Sequence, residues 1–302
     1  MINATLIYNP AAGQYHAIRE RQIQAVAAKL RDLGLETTLL KTDGRGSARA
    51  LAREAVRLQS EAVLVCGGDG TVNEAVNALA GTTTPLGILP GGTANTAARE
   101  LHLPYNLVAV AEQLPRWRPR QIPLGRARWN ANGKEQERYF LSLAGAGFDA
   151  HVIRELSLDS KAWLGVMAYV GEALKQVWQY PFPPLLCRAD NREYNATFVA
   201  IQRTRLYGGW IQMAPHSDLS KPVLTSCLFQ SAEPARYLAY AAATLVGQHL
   251  RLKDVTVMET SSLACAPAVP GSDIFFELDG DLAGQLPVIF DVAPEPLTLL
   301  VP

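Results

Sequence analysis

The sequence predicts an α/β fold over residues 1–125 and a β-rich fold over residues 126–295. Strand and helix patterns alternate along the first part, which is typical of a mostly parallel sheet covered by helices on both faces. Strand patterns dominate the second part. Between the two parts, Pro115, Pro119 and Pro123 interrupt the helical periodicity and mark a domain boundary.

The elements of the first part follow one another in a regular order. Gly34 ends the first helical repeat, because glycine adopts the left-handed conformation that closes a helix. Ser47 precedes the second repeat and is a candidate N-cap. The predicted elements are a strand at 4–8, a helix at about 23–33, a strand at 36–40, a helix at about 48–58 and a strand at 62–66.

The second part contains one hairpin signal and one helix among its strands. Asn132-Gly133 is a strong signal for a two-residue hairpin turn. A helix at about 161–180 carries too wide an apolar surface for a one-sided surface helix, which favours packing on a sheet. A membrane-dipping or lipid-lining role for part of this helix is the alternative. Further strands are predicted at 197–201, 223–229, 274–278 and 296–301.

Two glycine-rich loops each follow a short apolar strand and precede a helical pattern. The first is GGDGTVNE at 67–74 and the second is GILPGGTAN at 87–95. Glycine lets backbone N–H groups approach an anion, and the helix that follows adds its dipole, so a phosphate is the expected ligand. Asp69 either acts through a metal ion or water or holds its loop by accepting backbone hydrogen bonds. Tight turns without a ligand are the competing interpretation, but two such loops at neighbouring parallel strands are expected to converge on one nucleotide.

The composition excludes several classes of function. Because 28 basic and 28 acidic residues cancel, no global field attracts nucleic acid or an anionic membrane, and any membrane contact is local. The first residues lack a basic segment, and no apolar run reaches the ~18 residues that span a bilayer. A cytoplasmic protein is therefore expected, with a peripheral position at the membrane left open. The four cysteines form no C-x-x-C pair, which predicts buried free thiols rather than zinc ligands or disulfides.

Five landmarks occur in order along the chain: Asn9-Pro10-Ala11-Ala12-Gly13, the loops at 67–74 and 87–95, Gly145-Ala146-Gly147-Phe148-Asp149-Ala150, and Asp279-Gly280-Asp281. Together they resemble the diacylglycerol-kinase catalytic family, a family of bacterial-type lipid kinases related to sphingosine and ceramide kinases and, more distantly, to NAD kinases. The resemblance implies an N-terminal three-layer α/β/α, Rossmann-like nucleotide domain and a C-terminal β-sandwich domain. It also implies an active site in the interdomain cleft and a strand at about 296–302 that returns to the first domain.

The resemblance assigns roles to particular residues. Asp279 matches the general base of the family, whereas spacing alone would make it a residue of an Asp-Gly turn. Magnesium travels with the phosphate donor, so ATP and Mg²⁺ are the expected cofactors. For Thr42 a solvated turn, and for Asn9 the start of a turn, are the alternatives. The positions that match nucleotide-binding residues are Asn9, Thr42, Gly67, Gly68, Asp69, Gly70, Thr71, Val72, Asn73 and Thr93.

The chain departs from the family pattern in two places. Thr96 stands where members often carry an acidic residue, and Lys221-Pro222 stands where an aspartate-glycine pair helps bind a structural magnesium ion. Because an ammonium group cannot ligate a cation, this accessory metal site is expected to be lost, with an oxygen of Asp218 as the alternative ligand. We hypothesise that the charge of Lys221 replaces the ion by pairing with Asp69 or another carboxylate of the cleft.

The resemblance thus implies an ATP-dependent lipid kinase that phosphorylates a hydroxyl group of a diacylglycerol-like lipid. Two alternatives stay open. One is a kinase of the same fold that acts on a soluble alcohol such as a nucleoside, NAD or a sugar. The other is a nucleotide- or lipid-binding protein without turnover. A lipid substrate implies transient contact with a membrane, no nucleic-acid partner is expected, and the sequence does not predict the oligomeric state.

Overall fold

A computed structural model of the chain describes residues 2–13, 18–156 and 166–302. These residues divide into two compact units. The first unit is Met1–Pro123 together with Pro294–Pro302, and the second is Leu124–Ala293. Within the described ranges, none of the helices is both long and apolar enough to span a membrane.

Strands account for most of the regular structure. Numbered along the chain, the described strands are β1 (Ile2–Tyr8), β2 (Leu35–Lys41), β3 (Ala62–Gly67), β4 (Leu86–Pro90), β5 (Arg118–Ile122), β6 (Gly125–Ala131), β7 (Lys134–Phe140), β8 (Leu143–Gly147), β9 (Leu185–Ala189), β10 (Arg192–Ala196), β11 (Phe198–Gln202), β12 (Leu206–Tyr207), β13 (Ile211–Gln212), β14 (Leu224–Phe229), β15 (Val255–Thr260), β16 (Ser262–Pro267), β17 (Phe275–Leu278), β18 (Asp281–Gln285), β19 (Val288–Val292) and β20 (Leu297–Val301).

The α-helices belong mainly to the first unit. The described helices are α1 (Arg19–Asp32), α2 (Ser47–Arg57), α3 (Asp69–Leu79), α4 (Thr96–Glu100), α5 (Leu107–Gln113), α6 (Phe148–Glu155), α7 (Val166–Gln176) and α8 (Pro234–Leu245). Of the predicted helix at 161–180, residues 161–165 lie outside the described residues.

The first unit is built on a six-stranded sheet in the order β2-β1-β3-β4-β20-β5. All neighbours are parallel except β20 and β5, which are antiparallel. Every residue of β3 and β4 is buried, because helices α2 and α3 pack together on one face and α1 and α5 on the other. The three-layer α/β/α architecture predicted from the sequence is confirmed.

The end of the chain completes this sheet. Strand β20 pairs with β5 from Leu297 to Val301 and meets β4 at the pair Leu299 and Leu86. Leu297 and Leu299 are fully buried. The last strand is therefore an interior strand of the first unit's sheet, although the whole second unit precedes it in sequence.

The second unit is a β-sandwich of two antiparallel sheets, as the resemblance implied. One sheet has the order β10-β9-β16-β19-β6-β7 and the other β15-β14-β11-β8-β17-β18. Apolar side chains of both sheets form one core; fully buried members include Phe140, Leu185, Leu263 and Phe290 from the first sheet and Ala146, Val199, Leu228 and Phe276 from the second. The predicted Asn132-Gly133 hairpin is confirmed, since both residues have positive φ and join β6 to β7.

A second, largely aromatic core lies on the outer face of the sheet that contains β11 and β14. Helix α8 covers this face. The aromatic residues of this core include Tyr180, Phe182, Phe198, Phe229, Tyr237 and Tyr240, and Phe148 packs against them. Val177, which follows α7, is buried in this core. Leu174, within α7, and Trp178, just after it, are 53% and 65% exposed. The four cysteines are buried free thiols, as predicted.

Candidate functional site

The carboxyl ends of β1 and β3 lie side by side where the strand order of the first unit's sheet reverses. Strand β2 follows β1 on one side and β3 lies on the other, so the loops after β1 and β3 diverge and leave a crevice at the sheet edge. The N–H of Asn9 donates to the Cys66 carbonyl at 2.9 Å, and Asn9 Nδ2 donates to Thr71 Oγ1 at 3.2 Å. The structure therefore brings together Asn9 and Thr71, two of the predicted nucleotide-binding residues.

The two glycine loops touch each other through their backbones. The N–H of Gly91 donates to the Gly67 carbonyl at 3.0 Å. A Cβ atom on Gly92 would lie 3.1 Å from the Gly68 nitrogen and still closer to the Gly68 Cα atom. Only glycine allows this approach, so the loops after β3 and β4 form one continuous backbone surface.

The first glycine loop leads directly into helix α3. Gly68 is its N-cap, and a Cβ atom on Gly67 would lie 2.5 Å from the Thr71 Cβ atom, so Gly67 makes room for Thr71 on the first turn. A helix directs the N–H groups of its first turn, together with its positive dipole end, out of the helix, which is the geometry that holds a phosphate. Val72 and Asn73 have buried side chains, so they support the helix from its inner face.

Asp69 and Asn95 fix the second loop. Asp69 Oδ1 accepts the N–H of Thr96, the first residue of α4, at 2.7 Å. Asn95 has φ 49°, and its side chain accepts from the Gly92 N–H and donates to the Gly92 carbonyl, both at 2.8 Å. Of the two roles left open for Asp69, the structure displays the loop-holding one. Thr93, at the tip between these contacts, is exposed.

Arg19 ties the same loops together from within, and no sequence pattern pointed to it. Its side chain is buried, and its guanidinium donates to the Gly91 carbonyl at 2.6 Å and to the Ala12 carbonyl at 3.0 Å. It also donates to Cys66 Sγ at 3.7 Å, and burial raises the pKa of that thiol to about 11. The positive charge of Arg19 thus lies next to the glycine loops, which favours the binding of an anion by these loops.

Thr42 and Glu74 complete this edge of the sheet. Thr42 is buried, and its N–H donates to the Tyr8 carbonyl at 2.9 Å, so it lies beside the end of β1. Glu74 accepts the N–H groups of Gly46 at 2.6 Å and Ala48 at 3.0 Å. The prediction that Ser47 is the N-cap of α2 is wrong: Gly46, with φ 83°, is the cap, and Glu74 supplies the acceptor that an N-cap side chain otherwise provides.

In the second unit, Asp279 occupies the turn between β17 and β18. Asp279 and Gly280 have φ of 49° and 82°, which both central residues of a type I′ hairpin require. The Asp279 carboxylate is buried and accepts three backbone N–H groups, those of Leu141 at 2.8 Å, Ser142 at 2.8 Å and Leu143 at 3.0 Å. These donors stabilise its negative charge and fix its orientation.

A buried carboxyl pair lies next to this turn, and sequence reasoning missed it. A Cβ atom on Gly145 would lie 2.8 Å from Asp149 Oδ2 and 2.9 Å from Glu277 Oε1, so the two carboxyl groups meet over this glycine. Burial, and then the charge of Asp149, hold the pKa of Glu277 well above its usual range. Glu277 Oε2 accepts the Gly280 N–H at 2.7 Å, and the Tyr169 hydroxyl donates to Asp149 Oδ1. Glu277 thereby links the pair to the turn that carries Asp279.

The segment where the resemblance implied an accessory metal contains hydrogen bonds between its own residues and to Arg203. Lys221 is exposed, and its charge is one of the causes that lower the pKa of Asp218. Asp218 Oδ1 accepts the N–H and the hydroxyl of Ser220 at 2.8 and 2.7 Å, which lowers the pKa of Asp218. In the part of the chain that the structure describes, no group of three or more His, Cys, Asp or Glu could hold a metal ion. The carbonyl groups of this segment instead accept from Arg203.

Comparison with known proteins adds independent support. The model of the "Diacylglycerol kinase catalytic domain" matches residues 3–127, and that of the "YegS C-terminal NAD kinase beta sandwich-like domain" matches residues 142–301. A diacylglycerol kinase of Mycobacterium tuberculosis (strain ATCC 25618 / H37Rv) is 31% identical over 304 residues, covering 99% of this chain and 94% of the relative. A diacylglycerol kinase of Bacillus subtilis (strain 168) is 26% identical over 292 residues, covering 95% and 92%.

A solved structure shares the fold. The crystal structure of a diacylglycerol kinase from Bacillus anthracis str. Sterne has a TM-score of 0.70 and 20% sequence identity, and the match covers 99% of this chain and 97% of that one. The likeness therefore includes both units, and the sequence relationships extend over the same length. The chain belongs to the diacylglycerol kinase catalytic family, whose members are phosphotransferases with an alcohol group as acceptor.

Proposed function

We propose that this chain is an ATP-dependent lipid kinase that transfers the γ-phosphate of Mg-ATP to a hydroxyl group of a diacylglycerol-like lipid. The observation that carries the proposal is the contact of the two glycine loops beside the hydrogen bond from Asn9 to Thr71. That edge combines backbone donors, a helix N-terminus and the buried charge of Arg19, which is what a polyphosphate requires.

In this proposal the first unit binds the nucleotide. Backbone N–H groups at Gly68, Gly70 and Thr71 face the phosphates, and the hydroxyl groups of Thr71 and Thr93 add donors. Asn9 orients Thr71, while Asp69 keeps the second loop in place through the Thr96 N–H. Thr42 lies at the same edge and contacts the nucleotide beside the end of β1. Mg²⁺ arrives with ATP and neutralises the charge that develops on the phosphate oxygens.

The second unit supplies the base, Asp279. Phosphoryl transfer has a loose transition state, so a base needs mainly to orient the hydroxyl group and to accept its proton late. Three N–H groups fix the position of this carboxylate, which suits a base that orients a hydroxyl group. The names of the relatives support diacylglycerol as the acceptor. The exposed Leu174 and Trp178 suit a transient, peripheral contact with a membrane.

The test is a kinase assay of the purified chain with Mg-ATP against diacylglycerols in mixed micelles and against soluble alcohols, including nucleosides, NAD and sugars. We expect phosphorylation of the lipid only. Phosphorylation of a soluble alcohol alone would identify the soluble-substrate kinase, and ATP that is bound but never consumed would identify a binding protein. Either result overturns the proposal.

The role of Asp279 is tested by Asp279→Asn. Turnover should fall about 100-fold or more, as for loss of a general base, while ATP affinity is retained. Asp273→Asn, at the exposed start of the same hairpin, is the matched control and should retain wild-type turnover. Thermal unfolding of both variants shows whether each remains folded, since Asp279→Asn changes the hydrogen bonds to residues 141–143. Unchanged turnover in a folded Asp279→Asn protein would remove Asp279 from the mechanism.

A further inference from the structure

The segment that connects β13 to β14 is wrapped around a single guanidinium group. Arg203 Nη2 donates to the Leu219 carbonyl at 2.7 Å, and Nη1 donates to the carbonyls of Val223 at 2.6 Å and of Lys221. Three carbonyl groups from five consecutive residues thus converge on one cation. Backbone carbonyl oxygens arranged in this way are also the ligands that Mg²⁺ and Ca²⁺ take in protein loops.

The cation at this position is permanent and removed from water. Arg203 is 1% exposed, and burial lowers its pKa only to about 10, so the side chain is charged at neutral pH. The nearby charge of Asp218 opposes that shift. The carbonyl groups satisfy a guanidinium that would otherwise be costly to bury.

The position of Arg203 also connects this segment to the turn that carries Asp279. Arg203 follows β11, and its N–H donates to the Ser142 carbonyl at 2.8 Å. The N–H of Ser142 in turn donates to Asp279 Oδ1 at 2.8 Å. Two hydrogen bonds at Ser142 therefore link the residue that carries the guanidinium to the residue that carries the buried carboxylate.

A metal ion does not fit the same place. The three carbonyl groups already accept from Arg203, and a divalent ion among them would meet the guanidinium charge at close range. Lys221 cannot ligate, and Asp218 directs its carboxylate to Ser220. The buried cation at this segment is Arg203, whereas the hypothesis assigned the role of the ion to Lys221.

We propose that Arg203 takes the place of the accessory divalent ion, so that the segment 218–223 keeps its conformation without any resident metal. The chain then uses magnesium only as part of its nucleotide substrate. This inference concerns the folding of the second unit and does not depend on the identity of the lipid or on Asp279 as a base.

The experiment measures metal content and thermal stability, not activity. Wild-type protein is dialysed against Mg²⁺ or Mn²⁺ without nucleotide, freed of excess ion and analysed by mass spectrometry for bound metal. We expect far less than one ion per chain and the same Tm with and without EDTA. Stoichiometric bound metal, or a Tm that EDTA lowers, would overturn the proposal.

Variants separate the two candidate cations. Arg203→Ala should lower the Tm by about 5 °C or more, because three buried or partly buried carbonyl groups lose their donor. Lys221→Ala, the matched control, removes an exposed cation from the same segment and should leave the Tm within about 1 °C of wild type. If Arg203→Ala does not fold, Arg203→Lys, which keeps one charge but loses the planar fork, should give a smaller fall. Loss of stability in Lys221→Ala with none at Arg203 would assign the role to Lys221 instead.

Discussion

The carboxyl group of Glu277 is fully buried. It lies on β17, whose other residues are apolar and typical of a buried strand. The hydroxyl groups of Tyr169 and Tyr207 interact with Asp149, and burial raises the pKa of both tyrosines. Burial, and then the charges of Asp149, Asp279 and Asp281, raise the pKa of Glu277. Its remaining oxygen accepts the Gly280 N–H. A neutral carboxyl group suits both neighbours, since it can donate to Asp149 and still accept from Gly280.

The raised pKa of Glu277 predicts how stability depends on pH. Above the unfolded pKa near 4.5 and below the raised folded pKa, the folded state keeps a proton that the unfolded state releases. Folding therefore takes up a proton, and the free energy of unfolding falls as pH rises through this window, by up to about 1.4 kcal/mol per pH unit. Glu277→Gln cannot titrate, but its amide mimics the neutral acid. We expect the variant to lose less stability than wild type between pH 5 and 9, as chemical denaturation at several pH values would show.

The control for this prediction is Glu259→Gln on β15 of the same sheet, where the side chain is exposed. Its stability should follow the wild-type pH dependence. Parallel curves for wild type and Glu277→Gln would show that Glu277 is charged in the folded protein.

At the scale of elements, the two glycine loops show which features local sequence predicts and which depend on the pairing of strands. Each loop was recognised from an apolar strand, a glycine cluster and a helical pattern, all of which are local. Their contact through Gly68 and Gly92 was only expected, because it depends on β3 and β4 being neighbours in the sheet. This backbone approach leaves no room for a Cβ atom at Gly92.

Gly92→Ala tests the contact. The new Cβ atom would press on the Gly68 backbone and on Asn95 Oδ1, so the first glycine loop must move away. We expect ATP affinity to fall about tenfold or more, with a loss of stability of about 1–3 kcal/mol, as overpacking typically causes. Calorimetric titration with Mg-ATP and thermal unfolding would measure both.

Gly171→Ala is the control for the glycine prediction. Gly171 lies within α7, and a Cβ atom there meets nothing within 4 Å. Alanine also favours a helix over glycine by up to about 1 kcal/mol, so this variant should be as stable as wild type or slightly more so. Wild-type ATP affinity in Gly92→Ala would mean that the loop contact has no part in nucleotide binding.

Elements with a short periodic pattern were predicted well, and those without one were missed. The strands at 4–8, 62–66, 197–201 and 274–278 lie within two residues of β1, β3, β11 and β17. Helix α8 was missed, since it begins at Pro234 among strand signals and its alanine-rich sequence has no narrow apolar stripe. The hairpin of β9 and β10 was missed because β10, with the sequence REYNA, is mostly polar and lies at the edge of its sheet.

At the scale of the whole molecule, the first unit depends on the last residues of the chain. Strand β20 lies inside its sheet, and Leu297 and Leu299 are fully buried there. Full burial of each leucine contributes about 1.5–3 kcal/mol, and five backbone pairings with β5 add to it.

Truncation after Ala293 should therefore unfold the first unit, because it leaves β4 and β5 without the strand between them. Limited proteolysis with mass spectrometry should show early cuts within 2–123. Deletion of the exposed Pro302 alone is the control and should have no effect. If the truncated chain is insoluble, Leu299→Ala can be measured in its place, and it should lower the free energy of unfolding by about 2–5 kcal/mol. Equal protease resistance of truncated and full-length chains would contradict the prediction.

The sequence by itself determined the two-part architecture, the glycine loops, the Asp279 turn and the family, because periodicity, turn chemistry and motifs are written in neighbouring residues. Only the tertiary structure decided which side chains fix those loops. Arg19 reaches Gly91 across 72 residues, and Asp279 reaches Leu141 across 138. Glu277 and Asp149 meet only because β17 pairs with β8, and Arg203 binds carbonyls of a segment with no pattern of its own. The physical reason is that a buried polar group forms hydrogen bonds with the groups that the fold places beside it. Those partners are distant in sequence, so the local sequence does not identify them.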